Sequence, residues 1–541
     1  MRRSCQSAFI LLLTFVLIFT FAACNGGTTS TTTGATTQSQ GTTSATTTKA
    51  GTSETEPQIV EITAFAQEGP YTKKDFNDLA IWEVATAATG VKVNFESSPA
   101  DGFAEKLNLK FSTNDLPDMF FKCNMSNSDI AVRAGEGQLI PIDGYLDENA
   151  PNFSKYLADE ISIERGIRMT DGHIYGFCYL VSGGGISSKF FYNSKWINKQ
   201  GLELPKTTDE LYTMLTTMKD FDYNGNGQND EIPFIVESLS RLEGGLFGSF
   251  GLGTRGGNSF TWDIDPVTNE LRYVRTSDGY KKFLEFANKL YTEKLLDQEC
   301  FTMDLTKFSA KIALDIFGVT IAGNSSYFNV AQNDQLYPNA PLIGPDGYQI
   351  AMHIGPPLAG QNTFITNKNQ HVAETVSFVD YFYSEEGITL YFMGIEGETY
   401  YYDDKGKPQF FDKVLKNPDG LNPEDVLGDY VCWSGGGNPS VADYDHFYIH
   451  FSTLHNLTAA NVLMDYKPDE LWGAFIYSTE DSEKLKILQT EIDTYATDMR
   501  AKFISGEIGF DSWDDYVQQI EALGIDQYEE IVQRGMEAYI S

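Results

Sequence analysis

The feature that most constrains the fold is a repeated order of one helical pattern followed by one extended pattern. The segment DLAIWEVATAATGVKVNFES has an apolar stripe at helical spacing, a stop at Gly90, and alternating apolar residues at Val91, Val93 and Phe95. The segment EKLNLKFSTNDLPDMFF repeats this order, with a predicted helix first and a predicted apolar strand after Pro117. Strands separated by helices form a mostly parallel sheet covered on both faces, so we predict an α/β fold.

A further helix is predicted in PKTTDELYTMLTTMKDFD. Thr207 and Glu210 have the spacing of a capping box, which marks the start of a helix. The residues predicted to form its buried face are Leu211, Met214, Leu215 and Met218.

The N-terminus, MRRSCQSAFILLLTFVLIFTFAAC, has the layout of an export signal: two arginines, an apolar run of about sixteen residues, and a cysteine. The run is shorter than the roughly twenty residues of a membrane-spanning helix. FAAC resembles a bacterial lipobox, which implies cleavage before Cys24 and attachment of lipid to its sulfur. The alternatives are an uncleaved anchor helix and an ordinary secretory peptide.

Residues 24–57 consist almost entirely of Thr, Ser, Gly, Ala and Gln, with no apolar period. Such a segment buries too little surface to offset the entropy lost on ordering, so we predict a disordered stalk. A simple processing remnant would have the same disorder. The 484 residues that follow the stalk are long enough for two or more domains.

The charge balance is strongly acidic, with 39 basic and 75 acidic residues and a formal net charge of -36. Removal of Arg2 and Arg3 with the signal leaves 37 basic residues against 75 acidic ones, or -38. This charge argues against nucleic acid or an anionic membrane face as a partner.

The remaining cysteines show no close pair with metal-ligand spacing. They are Cys123, Cys178, Cys300 and Cys432. We expect buried free thiols rather than a disulfide framework.

Several stretches together resemble the extracellular solute-binding proteins (family 1) of ABC sugar importers, in particular the large lipoprotein branch of Gram-positive bacteria. They are WEVATAATGVKV, KLNLKFSTNDLPDMFF, DGHIYGFCYL with FFYNSKWINKQGLELPKTTDEL, DYNGNGQNDEIPF, VSFVDYFYSEEGITLYFMGIEGETYYYD and AKFISGEIGFDSWDDYVQQIEALGIDQYEEIV. The stretches follow the order of the family from Trp82 almost to the C-terminus, and it is their joint order that carries the resemblance.

The resemblance implies a two-lobe, periplasmic-binding-protein-like fold of type II, with a ligand cleft between lobes joined by a hinge. We place the hinge crossings near residues 177–183, 344–357 and 433–438. The predicted organisation is a signal peptide (1–23), a lipidated cysteine and stalk (24–57), an N-lobe (58–180 and 346–432) and a C-lobe (181–345 and 433–541).

One loop, FDYNGNGQNDEIPF, has the ligand spacing of a calcium site. Its predicted ligands are Asp222, Asn224, Asn226, the Gln228 carbonyl, Asp230 and Glu231, with Gly227 at the bend. Glu231 stands at position ten, whereas an EF-hand has its acidic ligand at position twelve. This departure resembles the loop of alginate-binding members, so we predict a structural Ca²⁺. The alternative is a polar Asn-Gly turn that binds nothing.

A sugar cleft needs aromatic faces for ring C–H groups and polar side chains for hydroxyls. Trp433 is the first candidate because the glycines after it could expose the indole. The other candidates are Tyr179, Trp262, Tyr400 with Glu398, and Asn124 with Asp118, which are expected to follow the strand DMFF. For each of these, an ordinary packed aromatic or loop polar residue is the alternative. Trp82 and Trp513 are predicted to be core residues, and Trp472 fits either role.

Catalytic motifs are weak in this sequence. GLGTRG at residues 251–256 has dinucleotide-binding spacing, but no helical pattern follows it. His446 and His450 are four residues apart, but DHFYIHF alternates like a strand. A glycosidase with a pair of catalytic carboxylates is left as an alternative, because 75 acidic residues provide many pairs by chance.

We therefore expect a non-enzymatic, monomeric receptor that is lipid-anchored on the extracellular face of a bacterial cytoplasmic membrane. It would capture an oligosaccharide and deliver it to the permease subunits of an ABC importer. The alternatives are a surface glycosidase or adhesin, and a ligand sensor for a kinase.

Overall fold

A computed structural model of the chain describes residues 59–69, 71–181, 188–228, 230–323, 328, 336–352, 355, 358–419, 421, 423–432, 437–448 and 454–540. The predicted signal, Cys24, the predicted stalk and Trp433 lie outside these residues. None of the helices in the described part combines the length and the apolar character needed to cross a membrane.

The strands of the described residues are β1 (Val60–Gln67), β2 (Val91–Ser98), β3 (Met119–Phe121), β4 (Gly176–Val181), β5 (Lys189–Asn193), β6 (Ile232–Val236), β7 (Trp262–Ile264), β8 (Leu271–Tyr273), β9 (Phe317–Ala322), β10 (Leu336–Pro338), β11 (Leu358–Ile365), β12 (Tyr400–Tyr402), β13 (Pro408–Phe410) and β14 (Val441–Ala442).

The α-helices of the described residues are α1 (Ile81–Thr89), α2 (Phe103–Thr113), α3 (Asn127–Gly135), α4 (Leu146–Asn149), α5 (Pro151–Asp159), α6 (Ile161–Ile167), α7 (Ser194–Gln200), α8 (Thr208–Lys219), α9 (Leu239–Leu246), α10 (Asp278–Thr292), α11 (Leu305–Ala313), α12 (Val372–Tyr381), α13 (Glu385–Met393), α14 (Asp412–Leu415), α15 (Pro423–Leu427), α16 (Leu454–Met464), α17 (Thr479–Ser505), α18 (Trp513–Ala522) and α19 (Ile525–Ile540).

The local predictions for the first helices and strands are confirmed. Helix α1 ends at Gly90, whose φ of 72° is left-handed, and β2 then alternates buried and exposed residues. Helix α8 begins after Thr207, whose side chain accepts a hydrogen bond from the backbone N–H of Glu210 at 3.1 Å. All four residues predicted for its inner face are buried. Trp82 and Trp513 are core residues, as predicted.

The first lobe is built on a six-stranded sheet in the order β14-β4-β11-β3-β1-β2. Five of its strands run in one direction, and β11 runs against them. Side chains alternate across the sheet, so Ile62 and Ala64 of β1 lie in one core cluster and Phe65 lies in another. The predicted covered, mostly parallel sheet is confirmed here.

The second lobe contains a four-stranded sheet in the order β10-β5-β9-β6. Strand β5 is antiparallel to both of its neighbours, and β6 is parallel to β9. Its faces also carry separate clusters, with Phe190 and Phe234 on one and Phe191 and Ile235 on the other. Helices α17, α18 and α19 add residues to the first of these clusters.

The chain position of the third crossing differs from the prediction at residues 433–438. Val441 and Ala442 form β14, which pairs in parallel with Leu180 and Val181 of β4. This backbone pairing places β14 in the six-stranded sheet, on the N-lobe side of the predicted boundary at residue 433. Of the described residues that follow β14, those of α16 pack against β10 and β5 of the other sheet.

The segment around His446 also differs from the prediction of an alternating strand. Residues Tyr444–Tyr448 form a π-helical turn. Asp443 holds this turn, because its carboxylate accepts hydrogen bonds from the backbone and ring nitrogens of His446. A local side-chain contact of this kind competes with the extended conformation that the alternation favoured.

Candidate functional site

The two sheets are separate, and the chain crosses between them at their carboxyl edges. Strand β4 ends at Val181 and β5 begins at Lys189, so eight residue steps separate them, or at most about 28 Å. Lys189 pairs with Ala322 at the carboxyl end of β9, and Leu358 at the start of β11 pairs with Leu180 near the carboxyl end of β4. The connections therefore link the carboxyl edges of the parallel strands, where open α/β sheets bind ligands.

The first-lobe edge of this cleft is formed where β3 ends. Lys122 follows β3 with a left-handed φ of 58° and is 2% exposed. Cys123 donates its backbone N–H to the carbonyl of Asn362 at 2.7 Å. The side chain of Asn124 lies against Gly437, since a Cβ on that glycine would be 2.3 Å from Asn124 Oδ1.

A buried polar network adjoins this edge. The Tyr391 hydroxyl donates to Asn438 Oδ1 at 2.5 Å and accepts a hydrogen bond from Cys432 Sγ at 2.7 Å. Asn362 Nδ2 donates to the carbonyl of Asn438 at 3.1 Å. All four residues are fully buried, and burial raises the pKa of Tyr391, so its phenol keeps the proton that it donates. The network holds the chain on both sides of residues 433–436.

The second-lobe edge contributes another buried lysine. Lys189 is 1% exposed, and its Nζ donates to the carbonyl of Gly323 at 2.8 Å. Nearby, Arg241 pairs with Glu237 at 3.2 Å. Burial, with Arg241, lowers the pKa of Lys189 to about 7, and burial lowers the pKa of Lys122 to about 8. Each wall of the cleft therefore carries a lysine in a low-dielectric site, a property common at functional sites.

The two lysines were not predicted from the sequence, because the candidate ligand residues were chosen among aromatic, acidic and amide side chains. A signal was present: Lys122 comes directly after DMFF and Lys189 directly before FFYN, so each charge adjoins an apolar strand. A charged residue at a strand end on the ligand side of a sheet is the pattern that would have identified them.

Two of the predicted ligand residues lie at the carboxyl edge. Asn124 is exposed there, and Tyr179 lies near the end of β4, close enough to add to the effect of burial in raising the pKa of Tyr391. Tyr179 is 9% exposed and belongs to the first-lobe core cluster.

The structure places the other described candidates elsewhere. Asp118 precedes β3 instead of following it, and its carboxylate accepts hydrogen bonds from Thr63 at the opposite end of the strand. Trp262 lies in the second-lobe core, with its ring 5.0 Å from that of Tyr528. Tyr400 is buried in the first-lobe core, and Glu398 is exposed in the turn before it. The carboxyl edge does not gather these four residues.

The predicted calcium loop is a tight, self-bonded turn. Asp222 accepts hydrogen bonds from the N–H groups of Gly225 and Gly227, and these bonds, led by that of Gly227, lower the pKa of its carboxyl. The side-chain amides of Asn224 and Asn226 donate to the two oxygens of Asp230. Gly227 has a φ of 73°, as the sharp bend requires. The loop is therefore closed by hydrogen bonds among its own side chains and backbone.

Carboxylates alone do not make this loop a metal site. Within the described residues, no group of three or more His, Cys, Asp or Glu side chains is arranged to hold a metal ion. The side-chain amide nitrogens of Asn224 and Asn226 lie against the carboxylate of Asp230. The loop nevertheless carries carboxylate, amide and carbonyl oxygens, which are the donor types that Ca²⁺ takes.

The loop is anchored to the second lobe by aromatic contacts. The ring of Tyr223 stacks on Trp196 of α7, with centroids 3.8 Å apart. Its backbone N–H donates to Glu231 Oε1 at 2.7 Å, which closes the turn. The loop is therefore in direct contact with a buried tryptophan.

The described cysteines are all free and buried, as expected. Cys432 takes part in the buried polar network described above.

Comparison with known proteins gives a family match and several relatives. The family of bacterial extracellular solute-binding proteins matches residues 67–389, more than half of the chain. The fructooligosaccharide ABC transporter substrate-binding protein FusA of Streptococcus pneumoniae serotype 4 is 28% identical over 495 residues, which cover 87% of this chain and 89% of FusA. Lipoprotein LipO of Bacillus subtilis strain 168 is 22% identical over 460 residues, which cover 80% of this chain and 83% of LipO.

Solved structures agree with these matches. FusA in complex with kestose has a TM-score of 0.67 and 25% identity, covering 88% of this chain and 99% of that one. An EF-hand mutant of FusA with fructo-nystose has a TM-score of 0.65. Alginate-binding protein AlgQ2, solved without calcium, shares the fold with a TM-score of 0.63 and 21% identity, covering 90% of this chain and 98% of that one. The two-lobe chain belongs to the family of bacterial extracellular solute-binding proteins.

Proposed function

We propose that this protein captures an oligosaccharide in the cleft between its lobes and delivers it to the permease subunits of an ABC importer. The observation that carries the proposal is the linking of the carboxyl edges of the two sheets, with the exposed side chain of Asn124 at the first edge and a buried lysine at each edge. FusA is the substrate-binding protein of a fructooligosaccharide ABC transporter, and the similarity extends over most of both chains. This similarity supports a carbohydrate as the ligand. Closure of the lobes would bury the ligand between both edges.

The role is that of a receptor. Capture and release need hydrogen-bond donors and a hinge, and the crossings between the sheets supply the hinge. Similarity to solute-binding proteins of importers favours this role over a surface glycosidase, an adhesin or a sensor for a kinase.

A ligand screen tests the proposal. The purified protein would be melted with fructooligosaccharides and with other plant and microbial oligosaccharides, because a ligand that binds only the folded state raises its stability by mass action. We expect one class to raise the melting temperature, with calorimetry giving one site per chain. Chromatography of the sugar after incubation should show it unchanged; shortened products would support a glycosidase instead.

We also propose that the protein is a monomer held outside the cytoplasmic membrane by lipid on Cys24. The similarity to lipoprotein LipO supports this anchor. The Thr/Ser-rich residues 24–57 would then act as a flexible tether for the folded part. The negative charge of the chain argues against direct binding to an anionic membrane surface.

We further propose a structural Ca²⁺ in the loop at residues 222–231. Asp222, Asn224, Asn226, Asp230 and Glu231 would hold the ion, together with the Gln228 carbonyl, and the ion would offset the repulsion among the three carboxylates. The EF-hand of FusA supports this assignment.

Removal of calcium should lower the melting temperature without unfolding the protein at room temperature. At a calcium concentration a hundred times the dissociation constant, the ion adds about 2.7 kcal/mol to the stability of the folded state. Differential scanning calorimetry with and without chelator measures this change. The fluorescence of Trp196 should change as well, since it stacks on Tyr223 of the loop.

A matched pair of variants isolates the loop. Asp222→Asn should make the melting temperature insensitive to chelator, whereas Asp220→Asn, an exposed aspartate two residues earlier, should leave the sensitivity intact. If the wild-type protein, first loaded with calcium, melts identically with and without chelator, the loop is a turn that binds no ion.

A further inference from the structure

We infer that helix α6 and the C-terminal end of α19 form a latch between the two lobes, and that this latch couples the movement of the lobes to oligosaccharide affinity. The inference rests on the proposed function, because it adds a regulating contact to capture by lobe closure. The latch consists of Arg165 in α6 and of Tyr539 and Ile540 in α19. None of the three was a candidate in the sequence.

The two helices belong to different lobes. Ile167 of α6 is buried in the first-lobe core cluster, whereas Tyr528 of α19 is buried in the second-lobe core cluster. Helix α6 also lies beside a crossing, since a Cβ on Gly166 would be 2.3 Å from the side chain of Leu358, the first residue of β11. A contact between α6 and α19 is therefore a contact between the lobes, next to the hinge.

Arg165 makes this contact with the end of α19. Its Nη2 donates a hydrogen bond to the carbonyl of Ile540 at 2.9 Å, and its guanidinium lies 5.8 Å from the centre of the Tyr539 ring. Carbonyls in the last turn of a helix have no partner within the helix and carry partial negative charge, so they favour a nearby cation. Both interactions join a first-lobe cation to a second-lobe helix.

The end of α19 is itself fixed on the second lobe. Tyr539 is 6% exposed, and its hydroxyl accepts a hydrogen bond from the backbone N–H of Gly473 at 2.8 Å. Three residues later, Ile476 packs against the first-lobe cluster that contains Met169. The end of α19 and the segment at residues 473–476 therefore face the first lobe together.

The lobes are not close-packed at this contact. Arg165, Tyr539 and Ile476 line a cavity of about 420 Å³, with Glu164 and Arg168 on its first-lobe side. Surfaces that already leave a gap bury little apolar area against each other, so separating them costs little free energy. The hydrogen bond and the ring contact of Arg165 are then a large part of what opposes separation.

Movement of the lobes about the crossings changes this contact. Since α6 and α19 lie on different lobes, rotation of one lobe against the other moves Arg165 relative to Ile540, and the latch forms in only one of the two arrangements. A contact that favours one arrangement shifts the balance between them by its own free energy. By linkage, sugar acts on the latch by the same factor with which the latch acts on sugar affinity.

Arg165→Ala tests the latch because it removes both interactions and keeps a good helix former. In the protein without sugar, amide hydrogen exchange should become about threefold to tenfold faster in α6 and also in residues 535–540 of α19, the range typical of one lost hydrogen bond. Exchange that becomes faster in α6 alone would show a role confined to that helix and would overturn the latch.

Oligosaccharide affinity should change by about threefold to tenfold as well, and the wild-type protein sets the direction. If saturating sugar speeds exchange in residues 535–540, the latch opens on binding and Arg165→Ala should bind more tightly. If sugar slows this exchange, the latch forms on binding and the variant should bind more weakly. Unchanged wild-type exchange, unchanged affinity, or a change of the opposite sign contradicts the inference.

Lys155→Ala is the matched control. Lys155 is another first-lobe cation, but its ion pair with Asp159, at 3.0 Å, lies within α5. This variant should keep wild-type exchange in residues 535–540 and wild-type affinity; effects equal to those of Arg165→Ala would overturn the latch.

The two readouts separate the latch from the proposed function. If the wild-type protein binds no oligosaccharide, the proposed function fails, and exchange of Arg165→Ala without sugar still decides whether α6 holds α19. If the wild-type protein binds sugar and Arg165→Ala leaves affinity unchanged, the proposed function stands and the inference is wrong.

Discussion

Cys24→Ser is expected to move nearly all of the protein from the membrane fraction to the culture medium. The lipobox-like FAAC predicts that the only durable contact with the membrane is lipid on the Cys24 sulfur. Two acyl chains hold a protein on a bilayer because each buried methylene adds about 0.8 kcal/mol, so loss of both chains lowers retention by many orders of magnitude. Fractionation followed by immunoblotting measures the change.

Cys5→Ser is the matched control for this prediction. Cys5 lies before the apolar run and would be removed with the signal, so its replacement should leave the protein in the membrane fraction. Retention of Cys24→Ser at the wild-type level would contradict the lipid anchor and indicate an uncleaved apolar helix.

Trp433→Ala is expected to weaken oligosaccharide binding by about one to two decades. The residue lies between Cys432 and Gly437, which the buried network and Asn124 hold at the first-lobe edge. A stacking indole would contribute about 1 to 3 kcal/mol to binding, and each 1.4 kcal/mol is tenfold in affinity. Titration calorimetry of the variant measures this loss, with only a small change expected in the melting temperature.

Trp262→Ala should show the opposite behaviour. This indole is 5% exposed and packs on Tyr273 and Tyr528 in the second-lobe core, so truncation should cost about 3 to 5 kcal/mol of folding free energy. The affinity of the fraction that stays folded should be unchanged. A Trp433→Ala protein that melts as low as Trp262→Ala and binds sugar normally would make Trp433 a packing residue.

Helix ends and turns that are determined by neighbouring residues could be predicted well. Gly90 ends α1 because a left-handed residue is needed there, and Thr207 begins α8 because its side chain caps the first turn. Both signals lie within a few residues of the structure that they specify. The same is true of the loop at residues 222–231, whose bend at Gly227 has the predicted position.

Features set by distant contacts could not be predicted. Trp262 follows a glycine-rich segment that suggested exposure, yet Tyr528 of the C-terminal helix covers its ring. Strand β14 has only two residues, too few for an apolar pattern, and its pairing with β4 decides which lobe it joins. Lys122 is buried near a residue far along the chain, because Cys432 lies close enough to act, after burial, on the pKa of Lys122.

Small-angle X-ray scattering with and without the oligosaccharide found by screening tests the central claim most directly. The account predicts a smaller radius of gyration at saturation, because the two carboxyl edges close around the sugar, with one sugar bound per chain and recovered intact. An unchanged radius of gyration at saturation, or release of shortened sugar products, would contradict capture by lobe closure.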